Sequence, residues 1–288
     1  MEKGDVQARH ASSTGQTGTA SPFLDLHFEA CRPEYEAMLR SAGLQPGWRV
    51  LDAACGGGGF LPLIAELVGP TGSIAAFDLA PDNVTHVAAR VAAWTNSCPV
   101  DTRVASLTEL PYADGEFDAV WCANALEYLS DGDVSAAVAE FRRVVRPGGL
   151  VAIKDVDPGL WLFSPGDPTL LWHMWEAISR ISAPFYGCLH HTRTMRRRLE
   201  RAGFVAVWQR ATLSEMWAPL RPVQRQYIAH QLMQMGVLAE RAGVPAADLD
   251  FWRRQRNPDS ADNLAYHPDL FWCEGHYVTV GRIPPRMR

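Results

Sequence analysis

Four consecutive glycines, Gly56–Gly59, lie between two structured segments and constrain the fold more than any other feature of the chain. The segment Trp48–Ala54 is typical of a buried strand, and Phe60–Val68 has the apolar spacing of a helix. A glycine loop between them lets backbone N–H groups approach a ligand closely, because no Cβ intervenes and the helix N-terminus is positively polarised. The pattern therefore predicts an α/β fold with a ligand site at this loop.

The alternation of strands and helices continues along the first half of the chain. A leading region of one or two helices, Ser21–Ala42, is expected to end at Gly43. Strands that alternate with helices indicate a doubly wound, mainly parallel sheet. The other early elements are predicted as strands at Ser73–Phe77, at Phe117–Cys122, at Leu150–Lys154 and in a short segment that Val104 opens, and as helices at Pro81–Trp94 and Val134–Val145.

The character of the sequence changes after Asp155. Seven of the ten tryptophans lie beyond this residue, in segments that Pro and Gly interrupt. We interpret this half as helical insertions and two further strands of the same sheet, which gives seven strands in all. The late elements are predicted as helices at about Thr169–Ser182, Thr192–Ala202 and Val223–Arg256 and as strands near Phe204–Leu213 and Phe271–Ile283.

Charge and composition exclude several classes of protein. With 27 Lys and Arg residues against 32 Asp and Glu, the chain carries a formal net charge of −5, so it lacks a broad cationic face and we expect no nucleic-acid partner. No apolar run approaches the ~18 residues of a membrane span and no signal peptide is visible, which predicts no membrane partner. The six cysteines lie singly and without metal-ligand spacing, which favours reduced thiols in the cytoplasm, no metal site and an activity that chelators leave intact.

Two acidic residues narrow the choice of ligand. Asp52 precedes the glycines within the first strand, and Asp78 closes the second strand. In a dinucleotide fold a carboxylate here would repel the pyrophosphate at the helix N-terminus. A ligand with an α-amino group and ribose hydroxyls would instead be bound by the two carboxylates, and S-adenosylmethionine is such a ligand.

With these motifs the sequence resembles the class I S-adenosylmethionine-dependent methyltransferases, in particular the small-molecule enzymes of the ubiquinone and menaquinone biosynthesis type. The resemblance covers about 45–154, roughly half of the chain, and implies a Rossmann-like fold with S-adenosylmethionine as the cofactor. Each motif alone is weak, but five in the family's order and spacing are a strong indication. They are Val50-Leu51-Asp52-Ala53-Ala54-Cys55-Gly56-Gly57-Gly58-Gly59, Phe77-Asp78, Leu110-Pro111-Tyr112, Phe117-Asp118-Ala119-Val120 and Arg146-Pro147-Gly148-Gly149.

The resemblance also implies roles for individual residues. Asp52 and the backbone at Ala54, Gly56 and Gly58 would surround the methionine moiety, while Asp78 would hold the ribose 2′- and 3′-hydroxyls. Two positions depart from the family. Ala54 replaces the usual first glycine of the loop, which is tolerated if that position keeps a negative φ.

The adenine end of the site carries the second departure. Leu79 would pack on the adenine ring. Ser106 stands where the family often has an acid that contacts the adenine amino group, so its hydroxyl or the Leu107 backbone would serve instead. We therefore expect cofactor binding to be retained but weakened.

Candidates for catalysis follow the fourth strand and lie in the first insertion. Asn124 resembles a contact to the amino acid portion of the cofactor, and Glu127 is a candidate catalytic acid; alternatively, Asn124 caps a helix and Glu127 is solvated. His190 and His191, close to Tyr186, lie where the acceptor is expected, and we hypothesise that one of them is the base, although histidines in such loops are often exposed and idle. Weaker candidates are Tyr128, Asp155, Asp157, Tyr186 and His173.

We interpret the chain as a methyltransferase of a small, largely apolar, natural-product-like metabolite, with O-methylation preferred. C- or N-methylation, a cyclase that holds the cofactor structurally, and a silent binding protein stay open as alternatives. The expected organisation is a disordered tail (1–21) and a single domain (22–288), with a cofactor-binding core (45–156) and helical acceptor-binding insertions (157–203 and 217–270). A homodimer through the insertions is one arrangement that the sequence permits.

Overall fold

Two helices precede the glycine loop in the computed structural model, which describes residues 21–95, 98–181 and 191–285. Helix α1 covers Ser21–Ala30 and helix α2 covers Arg32–Ala42. Helix α2 ends at Gly43, whose φ of 84° gives the left-handed cap that a residue without Cβ adopts readily. The predicted leading helices and their end at Gly43 are confirmed. Ser21, assigned to the disordered tail, instead begins α1, and the rest of that tail lies outside the described residues.

The cofactor-binding core predicted from the sequence alternates strands and helices. Helices start where Pro occupies the first turn, as at the helix that follows β2, since Pro needs no N–H partner there. The elements are β1 (Arg49–Ala53), α3 (Leu61–Val68), β2 (Ser73–Asp78), α4 (Pro81–Ala92), β3 (Val100–Val104), β4 (Phe117–Ala123), a 3₁₀ turn (Leu126–Tyr128) and α5 (Asp131–Val144).

The second half of the chain completes the sheet and adds helices beside it. Its last two strands, of 13 and 12 residues, are longer than the first four strands of the sheet, and they pair with one another in antiparallel orientation. The elements are β5 (Val145–Ser164), α6 (Thr169–Ser179), α7 (His191–Arg201), β6 (Val205–Trp217), α8 (Pro222–Ala242), α9 (Ala246–Gln255), a 3₁₀ turn (Leu264–Tyr266) and β7 (Phe271–Arg282).

The seven strands form one sheet in the order β3-β2-β1-β4-β5-β7-β6. Strands β1 to β5 pair in parallel, and β7 runs antiparallel to both β5 and β6. The expected doubly wound, mainly parallel, Rossmann-like sheet is confirmed. Because the strand order reverses between β1 and β4, the carboxyl ends of these two strands flank the crevice where open α/β sheets bind ligands.

Side chains of the central strands alternate between two buried layers. Val50 and Trp121 belong to the layer that includes α1, α2 and α3, whereas Leu51 and Val120 belong to the layer on the opposite face, with α5 and α7. Such burial on both faces explains why these strands are nearly continuous apolar runs. No helix within the described residues has the length and apolar character to cross a bilayer.

Three predicted elements differ from the structure. Strand β3 ends at Val104 instead of starting there, because its polar residues form an edge strand that an apolar pattern does not reveal. Strand β5 continues ten residues beyond Lys154, since its second half pairs with β7 up to Ser164. The helical stretch Val223–Arg256 is two helices, which separate at Gly243 with a φ of 72°.

Candidate active site

A cavity of about 410 Å³ lies at the carboxyl ends of β1, β2 and β4. Its walls come from the glycine loop, from the ends of these strands, and from helices α1 and α2. The structure thus brings eight of the nine predicted cofactor residues to one cavity. They are Asp52, Ala54, Gly56, Asp78, Leu79, Ser106, Leu107 and Asn124.

The glycine loop turns sharply at its first residue. Ala54 has a φ of 57°, so the negative φ under which an alanine is tolerated without strain is not met. The chain must reverse direction directly after β1, and the left-handed conformation accomplishes this at a cost of about 1 kcal/mol for a residue with a Cβ. Gly58 also has a positive φ, and it is the one predicted cofactor residue outside the cavity lining; a Cβ there would lie 3.0 Å from Leu61 and Val87 side chains.

Helix α1 covers the glycine loop. A Cβ on Gly57 would lie 2.5 Å from Oδ1 of Asp25, and one on Gly59 would lie 2.7 Å from the Phe28 ring. Arg90 joins the two parts, since its Nη1 donates to Oδ1 of Asp25 (2.8 Å) and to the Gly57 carbonyl (2.6 Å). Close packing by α1 therefore explains two of the glycines without reference to any ligand.

Asp78 holds the loop in place. Its Oδ2 accepts a hydrogen bond from the Gly56 N–H (3.0 Å), while Oδ1 accepts from the Ala80 N–H (2.9 Å) and from Nδ2 of Asn83 (3.1 Å). Each carboxylate oxygen has two lone pairs, so Oδ1 is saturated and Oδ2 keeps one lone pair for a ligand hydroxyl. The residue can consequently serve both the loop and a ribose.

Asp52 is a buried carboxyl group without a full set of partners. It is 2% exposed, and its Oδ2 has no hydrogen-bond partner. Burial, reinforced by the nearby Asp78 charge, raises its pKa to about 7. A cationic group in the cavity would satisfy this oxygen and favour the ionised form.

The adenine end of the predicted site lies between β2 and the segment after β3. Leu79 is 52% exposed beside the cavity. The hydroxyl of Ser106 lies 3.0 Å from Oγ1 of Thr108 and accepts from the Thr108 N–H (3.3 Å). Ser106 therefore stabilises its own turn, as hydroxyl side chains commonly do.

Asn124 does not cap a helix. It takes a left-handed φ of 52°, and the 3₁₀ turn that follows starts after Ala125 without a side-chain cap. Its Oδ1 accepts a hydrogen bond from Nζ of Lys154. Since Oδ1 is engaged and the side chain also bonds Tyr35, one N–H of Nδ2 remains for a ligand.

Lys154 was missed by sequence reasoning, although one signal was present. It is one of only two lysines in the chain, the other being Lys3, and it ends a predicted strand. The side chain is fully buried, its Nζ lies 3.8 Å from the centroid of the Tyr35 ring, and burial lowers its pKa to about 8. The charges of nearby carboxyl groups, among them Glu127 and Asp155, stabilise this buried ammonium group.

Glu127 is buried, so the reading of a solvated helix residue is wrong. Its Oε2 accepts from the Val156 N–H (3.3 Å), and burial, followed by the charge of Asp155, raises its pKa to about 8. Burial likewise raises the pKa of Asp155 to about 7. Neither residue lines the cavity. Asp157 is paired with Arg193 (2.5 Å), which indicates a structural ion pair.

Of the two histidines predicted as the base, the structure describes only His191. His191 is buried, and its Nδ1 lies 2.9 Å from Nη2 of Arg198 and 3.2 Å from Asp131, away from the cavity lining. His190 and Tyr186 lie outside the described residues and remain predictions. Among the weaker candidates, Tyr128 lines the cavity, and His173 is bonded to Asp248 (2.8 Å).

Sequence reasoning also missed a polar network at the α1 side of the cavity. Nε2 of His27 lies 2.7 Å from the Tyr35 hydroxyl and 3.3 Å from Oε2 of Glu274. The only sequence feature that pointed to this network was Glu274, an acidic residue within the mainly apolar last strand. Cys31 is close enough to complete a metal-ligand triad with His27 and Glu274, but burial raises the pKa of its thiol well above the ordinary value, which disfavours the thiolate that metals need.

Comparisons with known proteins agree with this geometry. Residues 50–149 match the family model of a methyltransferase domain. A 2-phytyl-1,4-naphthoquinone methyltransferase of Synechococcus elongatus is 30% identical over 112 residues, which are 39% of this chain and 47% of that protein. The chain spans about half the length of the curated relatives it matches.

Solved structures show the same fold. A candidate methyltransferase of Bacillus halodurans superposes with a TM-score of 0.52 at 16% identity, over 86% of this chain and 97% of that one. A phosphoethanolamine N-methyltransferase of Haemonchus contortus, solved with S-adenosyl-L-methionine, gives a TM-score of 0.54 at 14% identity, over 93% of this chain and 58% of that one. Residues 50–149 thus match a methyltransferase domain, and the sheet that contains them has the Rossmann-like fold of these structures.

Proposed function

We propose that the whole chain is an S-adenosylmethionine-dependent methyltransferase that acts on a small, largely apolar acceptor, preferably at oxygen. One observation carries the proposal: the carboxyl groups of Asp52 and Asp78 lie at the ends of neighbouring strands, beside the glycine loop and within one cavity. This arrangement offers one anion to an amino group and another to a pair of ribose hydroxyls. The methyltransferase domain at 50–149 supports the same conclusion.

The residues of the cavity fit the cofactor. The Asp52 oxygen that lacks a partner calls for a cationic donor, which the α-amino group of S-adenosylmethionine would supply. Asp78 retains one lone pair on Oδ2 for a ribose hydroxyl. The remaining N–H of Asn124 Nδ2 suits the cofactor carboxylate, and Leu79 offers an apolar surface to adenine.

When bound, S-adenosylmethionine supplies an electrophilic methyl group on a sulfonium centre. The protein's contribution is mainly to align the acceptor and to exclude water, because an in-line displacement needs little further chemistry. Phe28 and Phe60, whose rings meet edge to face at 4.9 Å, form part of an apolar wall for the acceptor. Asp52 and Asp78 hold the cofactor's two polar ends on the strand side.

The acceptor class is inferred from this wall and from the relatives. The naphthoquinone methyltransferases named above act, by their names, on a planar apolar ring system, and we propose an acceptor of similar polarity from secondary metabolism. The proposal places the protein in the cytoplasm, as the free thiols of the five described cysteines suggest. It keeps residues 22–288 as a single domain. No described residue of the insertions 157–203 and 217–270 lines the cavity, so the proposed acceptor wall is the one of Phe28 and Phe60.

Calorimetric titration with S-adenosylmethionine and S-adenosylhomocysteine tests the proposal. We expect micromolar-range binding by the wild type and no detectable binding by Asp78→Ala, because both the ribose contact and the Gly56 anchor are lost. Asp82→Ala, an exposed position on α4, is the matched control and should bind normally. Absence of binding by the wild type would refute the proposal.

Turnover then separates a methyltransferase from its alternatives. Accumulation of S-adenosylhomocysteine in the presence of an acceptor indicates methyl transfer. Acceptor conversion without that product would instead indicate an enzyme that holds the cofactor structurally.

A further inference from the structure

We propose that His27, held by the buried Glu274, is the catalytic proton acceptor for a phenolic or enolic hydroxyl of the acceptor. The inference rests on the proposed function and names its substrate class. It replaces His191 in that role, because His191 lies outside the cavity lining whereas His27 lies within it. Both α1, which carries His27, and β7, which carries Glu274, lie outside the segment that matches the methyltransferase domain.

The His27 ring is fixed on three sides. It stacks on Tyr227 at a centroid distance of 4.6 Å and an interplanar angle of 3°, and its Nε2 contacts Oε2 of Glu274 and the Tyr35 hydroxyl. The other ring nitrogen, Nδ1, has no hydrogen-bond partner among the described residues, and it is not among the enclosed polar atoms. With 13% of its side chain exposed, His27 therefore keeps Nδ1 accessible.

Glu274 sets the state of that ring. It is completely buried, and its Oε1 accepts from the Tyr227 hydroxyl (2.6 Å) and from Nε1 of Trp272 (2.8 Å). Burial alone would raise the pKa of Glu274, but the hydrogen bonds of His27, Tyr227 and Trp272 hold it below its ordinary value. An ionised carboxylate facing Nε2 favours a proton on Nε2, which leaves the lone pair on Nδ1.

Other groups around His27 do not compete for this role. His276 lies farther away, at a centroid distance of 6.3 Å, and burial lowers its pKa well below the ordinary value, so it stays neutral. Lys154 is separated from the ring by Tyr35. Cys31 keeps its thiol proton because it is buried. Glu274 is consequently the anion that stabilises a protonated His27.

The proton step balances without a further reactant. The O–H bond of the acceptor breaks, a new N–H bond forms at Nδ1 of His27, and the acceptor oxygen keeps the electron pair. The resulting imidazolium is compensated by the Glu274 carboxylate, which takes no proton. Phenols and enols suit this step, because an aliphatic alcohol is too weak an acid for imidazole, and their planar rings fit the wall of Phe28 and Phe60.

A chromogenic phenol tests the assignment without turnover. Wild-type protein saturated with S-adenosylhomocysteine is titrated with 4-nitrophenol at a pH about one unit below the probe's own pKa. We expect the yellow phenolate band to rise several-fold over that of the free probe. His27→Asn should abolish the rise, and Glu274→Gln, which removes the positioning carboxylate, should move the ionisation of the bound probe to higher pH.

Controls keep the outcomes distinct. His86→Asn changes a half-exposed histidine outside the cavity lining and should retain the band. S-adenosylhomocysteine affinity should stay within about twofold in the two site variants, which also shows that they fold. If S-adenosylhomocysteine binds but the wild type gives no phenolate band, or if His27→Asn keeps it, the assignment is overturned. If S-adenosylhomocysteine does not bind, the proposed function itself fails.

Discussion

Nζ of Lys154 donates a hydrogen bond to Oδ1 of Asn124, while the Asn124 N–H donates to the carbonyl of Lys154 at 2.7 Å. The two residues thereby fasten the carboxyl end of β4 to the middle of β5 at the edge of the cavity. This double contact holds Asn124 in its left-handed conformation and directs its Oδ1 toward Lys154. A buried ammonium group is thus part of the support of the proposed cofactor site.

Replacement of Lys154 should disturb both stability and binding. Lys154→Met leaves the buried Glu127 and Asp155 without their cation, and we expect the free energy of unfolding to fall by about 3 kcal/mol. The freed Asn124 amide should weaken S-adenosylhomocysteine binding about tenfold. Urea unfolding and calorimetry measure the two effects, with the exposed Arg40→Met as the control. Unchanged stability would contradict this account of the buried charge.

The titration of Lys154 can be observed directly. With only two lysines in the chain, ¹³C-lysine-labelled protein should give two resonances, and Lys3→Arg assigns them. One should titrate at about pH 8, because burial lowers the pKa of Lys154 from 10.5. The unfolded chain then holds the proton more tightly, so this group makes unfolding less favourable as pH rises from about 8 to about 10.5. Two resonances that both titrate above pH 10 would refute the prediction.

Glycine at position 54 should stabilise the protein. Ala54→Gly relieves the left-handed strain, and we expect a gain of about 1 kcal/mol in the free energy of unfolding. Ala53→Gly, one residue earlier within β1, is the matched control and should destabilise instead, since a strand position gains nothing from a positive φ. Thermal and urea unfolding of the two variants measure these changes in the free energy of unfolding. Equal losses in both variants would show that Ala54 is not strained.

Cofactor affinity should depend on the ionisation of Asp52. With a pKa of about 7 in the free protein, the carboxyl group is mostly protonated at about pH 6 and mostly ionised at about pH 8. Because the ligand's α-amino group prefers the ionised form, the Kd for S-adenosylhomocysteine should fall about tenfold over this range. Asp52→Asn should bind weakly and without this pH dependence.

Glu127→Gln serves as the control for that profile, because Glu127 also has a raised pKa but lies outside the cavity lining. It should keep the wild-type pH dependence. A profile that disappears in Glu127→Gln but persists in Asp52→Asn would reverse the assignment.

An acid at position 106 should strengthen adenine binding. Ser106→Asp supplies a carboxylate acceptor where the hydroxyl now serves the turn at Thr108, and we expect about tenfold tighter binding of S-adenosylhomocysteine. S-inosylhomocysteine lacks the adenine amino group and should gain nothing from the substitution. An equal gain for both ligands would mean that the amino group is not the partner.

The sequence was sufficient for the fold because its signals are local. Apolar runs, the turn at Gly43 and the glycine loop identify the central strands, and acids at strand ends mark a ligand edge. It did not reveal that β3 is a polar edge strand, or that Ala54 adopts a positive φ, since both depend on the rest of the sheet. His27 and Glu274 are 247 residues apart, and only the pairing of β7 beside β5 brings such residues together.

The burial of Lys154 also limits how the protein can be chemically modified. Within residues 21–95, 98–181 and 191–285 it is the only lysine, and its ammonium group is completely enclosed. Enzymes that acetylate or ubiquitinate lysine therefore find no accessible substrate within these residues. For the same reason, amine-reactive dyes and resins should react at Lys3 in preference to Lys154, and a protein immobilised in this way can be screened against acceptors.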